Sequence, residues 1–292
     1  MANIFDNIIP LPSAEVQKQT EGLVGFQTKF DRIYNNLKLL LDQGSLSDWS
    51  KRYHKIDLPI ISQLKDKYPL IILAGDAGTG KTISATSIAD KMTRELNKEG
   101  FFLKLSTRVR GEGLHGEMGN LVNNAFAELK KQAGKRRLAF LLIDEADAIA
   151  TTRATGQMHQ EEKAAVNTLI QKIDEVREMN GRAILFMSTN RLHFIDEAIL
   201  RRAAIILEFK RPTHEEYKEL YAQSLEGLNL TDEELSQLAQ LSQKDDELGY
   251  SFSDVRLKVL PEAVAMAYPD RPISFEILKE VIKNIHPSPE IK

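Results

Sequence analysis

Cysteine is missing from the 292-residue chain, which excludes disulfides, thiolate metal sites and cysteine nucleophiles and fits a reducing, cytoplasmic location. The six histidines are scattered, with no spacing that would gather them on a metal. No apolar run approaches the roughly 18 residues that a membrane-spanning helix needs. The opening Met-Ala-Asn-Ile-Phe-Asp-Asn has no basic region followed by an apolar core, so no secretion signal is expected. Positive charge is not in excess: 39 lysines and arginines face 42 aspartates and glutamates, a net charge of -3. That balance sets up no global basic field, and neither nucleic acid nor a membrane is an expected partner. Repeats and low-complexity tracts are also lacking.

What is present is ordinary in proportion, with 42% hydrophobic and 28% charged residues, and the length suits one large domain plus a smaller one. The stretch that organises it is Tyr68-Pro-Leu-Ile-Ile-Leu-Ala-Gly-Asp-Ala-Gly-Thr-Gly-Lys-Thr82, an apolar run that ends in a glycine-rich turn and opens into a helix. Gly75, Gly80, Lys81 and Thr82 meet the phosphate-loop pattern, and Asp76, Ala77, Gly78 and Thr79 fill the turn between them. Glycines let backbone N–H groups close around phosphate oxygens. Lys81 is placed to reach the β- and γ-phosphates, Thr82 to put a hydroxyl on Mg²⁺, and the helix to point its positive end at the anion.

A second signal is Leu138-Ala-Phe-Leu-Leu-Ile143, a continuous apolar run ending in Asp144-Glu145. Such a run reads as a strand buried on both faces of a parallel sheet, and its carboxyl end is where ligands bind in open α/β folds. Asp144 would hold Mg²⁺ and Glu145 would polarise the attacking water. Asn190 closes a further buried strand, where a neutral amide can fix phosphate and water in line. Arg201 and Arg202 follow Ile195-Asp-Glu-Ala-Ile-Leu200. An arginine delivered from a neighbouring subunit would stabilise the transferring phosphoryl group, and a salt-bridged surface pair is the plainer alternative.

The chain order is read as an N-terminal arm over 1–21, a large α/β domain over 22–210, a helical lid over 211–285 and a flexible tail over 286–292. In the large domain an amphipathic helix starts at Leu23 and ends near Gly44, and Ser45 to Lys55 is a polar connector carrying the only tryptophan, Trp49. Five strands then alternate with helices. After Arg211-Pro212 the pairs Thr213/Glu216 and Thr231/Glu234 fit capping boxes, and further helices begin near Ser253 and Ser274.

The segments GDAGTGKT, LLIDEAD, STN and IDEAILRR, followed by a helical lid, resemble the AAA+ ATPases in type, order and spacing over about residues 22 to 285. Within them the chain is most similar to the pachytene-checkpoint type remodellers of HORMA-domain proteins, including small bacterial members of antiphage operons. That likeness rests on Leu114-His-Gly-Glu-Met-Gly-Asn-Leu-Val122, Ala165-Val-Asn-Thr-Leu-Ile-Gln-Lys-Ile-Asp174 and Arg202-Ala-Ala-Ile205. The resemblance implies a P-loop NTPase fold with a five-stranded parallel sheet, ATP and Mg²⁺ as cofactors, and Lys81, Glu145, Asn190 and Arg202 as the catalytic set. It implies a homo-oligomeric ring, usually hexameric, that grips a protein partner in a central pore, the partner being a HORMA-domain protein. Leu114 and His115 fall where the family places its pore-loop pair, and 151–159 where a second pore loop would lie. Arg256 is the lid residue expected to sense phosphate, although the usual lid motif aligns with Ser253. A nucleic-acid-loading ATPase and a nucleotide-gated scaffold are the alternatives.

Overall fold

A computed structural model of the chain describes residues 4–106, 117–151, 160–244 and 248–290. The chain packs as two units, which differ from a simple division at residue 210. The first comprises residues 1–21, 27–74 and 82–208, and the second gathers 22–26, 75–81 and 209–292.

The strands are β1 (Phe5–Leu11), β2 (Leu70–Gly75), β3 (Gly100–Leu105), β4 (Leu138–Ile143), β5 (Ala183–Thr189) and β6 (Ala203–Phe209). They form one sheet in the order β1-β3-β4-β5-β2-β6. Strands β3, β4, β5 and β2 pair in parallel, with Leu103 opposite Leu141, Ile143 opposite Met187 and Ala74 opposite Thr189. Their side chains alternate between two dry faces. Ile72, Leu103, Leu141 and Leu185 enter a core with helices α6 (Glu117–Ala133) and α7 (Gln160–Arg177), while Ile71, Phe102, Phe140 and Phe186 on the other face are buried too. Burial on both faces is why these segments read as unbroken apolar runs.

The sheet has six strands where five parallel ones are expected, because the N-terminal segment is built into it. Strand β1 pairs antiparallel with β3, Phe5 opposite Leu105 and Leu11 opposite Gly100. Phe5 and Leu11 are buried, and Pro10 is tolerated because an edge strand can spare one N–H group. Helix α1 (Ala14–Glu21) follows, and α5 (Lys81–Glu95) fastens its entry: Ser13 N–H donates to Asp90 Oδ1 at 2.6 Å and Arg94 Nη2 to the Ser13 carbonyl at 2.9 Å. The amphipathic helix is α2 (Phe26–Leu41). The stretch expected as a polar connector is helical, α3 (Gln43–His54) and then α4 (Pro59–Lys65), with Trp49 half exposed. Its polarity reflects helices with one solvated face.

After the short α8 (Glu197–Leu200) and β6, the second unit is helical: α9 (His214–Ser224), α10 (Asp232–Gln243), α11 (Phe252–Asp254), α12 (Leu260–Ala267) and α13 (Phe275–Asn284). A π-helical turn, Val255–Val259, joins α11 to α12. Capping boxes at Thr213/Glu216 and Thr231/Glu234 start α9 and α10, and a third at Ser251/Asp254 starts α11. The core of this unit contains Tyr217, Leu220, Tyr221, Leu238, Val259, Leu278 and Ile282, with Val24 packed among them. Among the described residues no helix is long and apolar enough to cross a membrane.

Candidate active site

The glycine loop leaves the end of β2 and enters α5 at Lys81. Gly75 has φ +148°, and a Cβ there would lie 1.9 Å from the Phe209 carbonyl oxygen, so no other residue fits. Gly78 has φ +74°, and a Cβ would meet Ser251 Oγ at 2.7 Å and Ser253 Cβ at 2.8 Å. The loop is braced from inside. Thr79 Oγ donates to the Asp76 carbonyl at 2.7 Å, and the Lys81 ammonium donates to the carbonyls of Gly75 and Asp76 at 2.8 and 2.7 Å. Asp76 accepts the Ala77 N–H at 2.8 Å, and its other oxygen pairs with Arg211. Gly80, with φ +92°, completes the turn.

In the first unit, Asp144 and Glu145 emerge from the carboxyl end of β4. Asp144 Oδ2 accepts from Thr82 Oγ at 3.0 Å and faces Lys104 Nζ at 3.3 Å, while Oδ1 accepts a short bond from Ser188 Oγ. Burial pushes the Asp144 carboxyl up, but the Ser188 hydroxyl, the Lys104 charge and the Thr82 hydroxyl outweigh it and hold the group below the usual carboxylate range. Asp144 is therefore a carboxylate near neutral pH. Glu145 is exposed and has φ 49°, ψ 48°, a left-handed conformation that costs a non-glycine residue on the order of 1 kcal/mol. Strain of this kind persists where the surroundings over-determine it, and here it turns Glu145 at the strand end where a general base is expected.

Asn190 follows β5, which lies between β4 and β2 in the sheet. Because the three strands are parallel, Asn190 leaves from the same sheet edge as Asp144. Its neighbour Thr189 donates to Asp147 Oδ1 at 2.9 Å and accepts the Arg191 N–H at 2.9 Å, which fixes the chain on either side. Arg202 is held bidentately by Asp174, Nε to Oδ1 at 2.7 Å and Nη2 to Oδ2 at 3.2 Å, and lies over the Tyr68 ring at 5.3 Å. The hydrogen bond and charge of Asp174 raise its pKa further. Arg201, by contrast, is 80% exposed and has a 3.4 Å pair with Glu197. Arg256 donates to the Gly22 carbonyl at 2.8 Å and is exposed. Leu114 and His115 lie outside the described residues, as does all of the second pore-loop segment except Thr151.

These residues fit the groups expected of them. The Gly75–Lys81 backbone is a cradle that Cβ atoms would fill, with a lysine at its exit, as a triphosphate requires. Thr82 and Asp144 offer a hydroxyl and an ionised carboxylate 3.0 Å apart, the hard oxygen donors that Mg²⁺ prefers. Four contributors are not evident from motif reading. Lys104 is the one charge in an apolar strand, and Ser188 sits beside the strand-closing Asn190. Arg211 reads as a boundary residue, and Ser288 as part of a free tail.

The chain is also similar to known proteins along most of its length. The family model described as "ATPase family associated with various cellular activities (AAA)" matches residues 71–211. CD-NTase-associated protein 6 of Escherichia coli strain KTE188 is 44% identical over 290 residues, covering 99% of this chain and 97% of that protein. Among solved structures, a chain of the E. coli MS115-1 HORMA:CdnC:Trip13 complex matches at TM-score 0.90 and 35% identity, over 99% of this chain and 97% of that one. A Rhizobiales Trip13 matches at TM-score 0.76 and 28% identity, over 98% and 99%.

Proposed function

Since the chain belongs to the AAA ATPases, in the group of CD-NTase-associated protein 6, we propose that it spends ATP hydrolysis on remodelling a HORMA-domain protein, in bacterial antiphage signalling. The observation that carries this is the near full-length likeness to a chain solved in complex with a HORMA protein. The CD-NTase association in the relative's name supports the signalling context.

In this reading residues 22–210 are the ATPase domain and 211–285 the lid, and the subunits assemble as a ring, by expectation hexameric. Residues Gly75 to Thr82 bind the ATP phosphates, with Lys81 on the β- and γ-phosphates. Thr82 and Asp144 would hold Mg²⁺, which would supply charge neutralisation on the phosphate oxygens. Glu145 draws the proton from the attacking water, and Asn190 holds that water in line. Arg202 stabilises the charge that develops at the site of the next subunit. A guanidinium fork carries five donors, more than Asp174, Ala198 and Tyr68 consume. Arg256 reports on phosphate from the lid, and Leu114 and His115 grip the partner's chain.

Replacing Glu145 by Gln removes the base but keeps the shape. We expect ATP binding near wild type and turnover lower by about 100-fold or more. In a pull-down with ATP, mass spectrometry of what stays on this variant should recover a HORMA-domain protein. Wild-type turnover would remove Glu145 from its role, and recovery of DNA in place of a protein would overturn the remodelling assignment.

A further inference from the structure

The phosphate loop carries a carboxylate, Asp76, which is an unwelcome charge where a triphosphate is to bind. Its side chain is only 10% exposed, and so is that of its partner Arg211. Arg211 places Nε 2.7 Å and Nη2 2.5 Å from Asp76 Oδ2. The same guanidinium donates from Nη2 to the Ser288 carbonyl at 2.7 Å, and from Nη1 to the Gly249 carbonyl in a short bond. Ser288 is held in turn. Its hydroxyl donates to Asp254 Oδ1 at 2.6 Å and accepts from Lys258 Nζ at 2.6 Å. A second tie runs from the Ser253 N–H to the Gly78 carbonyl at 3.1 Å. All these residues belong to the second unit.

The polar chain therefore runs without a gap from the Ala77 N–H through Asp76, Arg211 and Ser288 to Asp254. Two consequences follow from elementary electrostatics. Asp76 can fix the loop backbone only while its carboxylate is anchored. A carboxylate this close to the phosphate-binding N–H groups repels an anion unless a cation neutralises it, and burial makes that neutralisation count.

We propose that Arg211 is the positioning residue of the phosphate loop. It acts through Asp76, whose charge it cancels and whose orientation it fixes, and the C-terminal segment holds it in place through Ser288. This rests on the reading that Gly75 to Thr82 bind the ATP phosphates. It makes the tail, expected to be flexible, a working part of the nucleotide site.

The test is a charge-rescue series in the full chain, with ATP affinity measured by calorimetry in the Glu145→Gln background and KM and kcat measured in the parent. Arg211→Gln should weaken ATP binding by about tenfold or more and raise KM, with kcat at saturating ATP largely kept. Asp76→Asn alone should cost less, because Asn still caps Ala77 and adds no charge. The double variant Asp76→Asn/Arg211→Gln should bind ATP better than Arg211→Gln, since no charge is left to cancel. Arg211→Lys keeps the charge without the fork and should fall between parent and Arg211→Gln. It carries the test if the glutamine variant melts early. Ending the chain after His286 should weaken ATP binding by a smaller factor and add nothing in the Arg211→Gln background. Parent-like affinity in both Arg211 variants, or a double variant worse than Arg211→Gln, would overturn the proposal. Lys81→Ala is the control. If it binds ATP like the parent, the loop reading fails instead.

Discussion

Asp144 and Asp254 are each held ionised against the cost of burial, and each organises its surroundings. Asp144 is kept charged by Ser188, Lys104 and Thr82, so it is ready for a cation without a proton to lose. Asp254 answers a structural need. Burial pushes its carboxyl up, but Lys258, Ser288 and the N–H and hydroxyl of Ser251 more than reverse this and hold it far below the usual range. Because its pKa is depressed on folding, Asp254 contributes stability in full above its unfolded value of about 3.9, and that contribution is lost as pH falls toward the folded value. Asp254→Ala should lower stability near neutral pH by about 1–3 kcal/mol, since the Ser251 cap and the Ser288 hydroxyl lose their acceptor. It should also flatten the acid decline below about pH 4. Urea midpoints of parent and variant at pH 7, 5 and 3.5 read both effects. A gap between the curves that stays constant across that range would mean that the charge is not what Asp254 contributes.

At the level of elements, the glycine loop shows why a motif tells more about a ligand than about its support. Gly78 falls at a position that the phosphate pattern leaves open, yet packing requires it, because its positive φ and its neighbours Ser251 and Ser253 leave no room for a side chain. Gly78→Ala should therefore cost about 1–3 kcal/mol as a thermal shift even without nucleotide, and weaken ATP binding besides. An unchanged melting temperature with impaired binding would confine its role to the phosphates. The central strands, the helices of the second unit and the residue types of the candidate site were legible in the sequence, since each rests on local chemistry: unbroken apolar runs, capping boxes, and glycines followed by Lys81-Thr82. Strand β1 was not legible. Its pairing with β3 is set by a partner about ninety residues away, and Pro10 argues locally against a strand. Helix α3 was hidden by its polarity, and Arg211 and Ser288 by the sequence distance between them and Asp76. Long-range pairing leaves no local mark.

For the whole molecule, the proposed ring makes a specific demand: one subunit must complete the site of the next. In a ring built from head-to-tail contacts, each site would take its own loop from one chain and an arginine from its neighbour. Arg201 and Arg202 are adjacent but differ in kind. Arg201 is 80% exposed at the end of the four-residue α8, with the rotamer freedom of any surface arginine. Arg202 is clamped by Asp174 and lies over Tyr68, and a group that must meet a transition state gains from a fixed plane. Subunit mixing separates the two. Lys81→Ala should disable a subunit's own site while leaving its arginines intact, and Arg202→Ala should do the reverse, so each variant alone should be nearly inactive. Mixed in equal parts, random assembly pairs an intact loop with an intact neighbouring arginine at about a quarter of the sites, and turnover should return toward that fraction. Arg201→Ala mixed in the same way should show no such recovery, because it should not lose activity first. Recovery with Arg201→Ala in place of Arg202→Ala would move the role to the exposed residue and leave Arg202 as the brace that Asp174 makes of it.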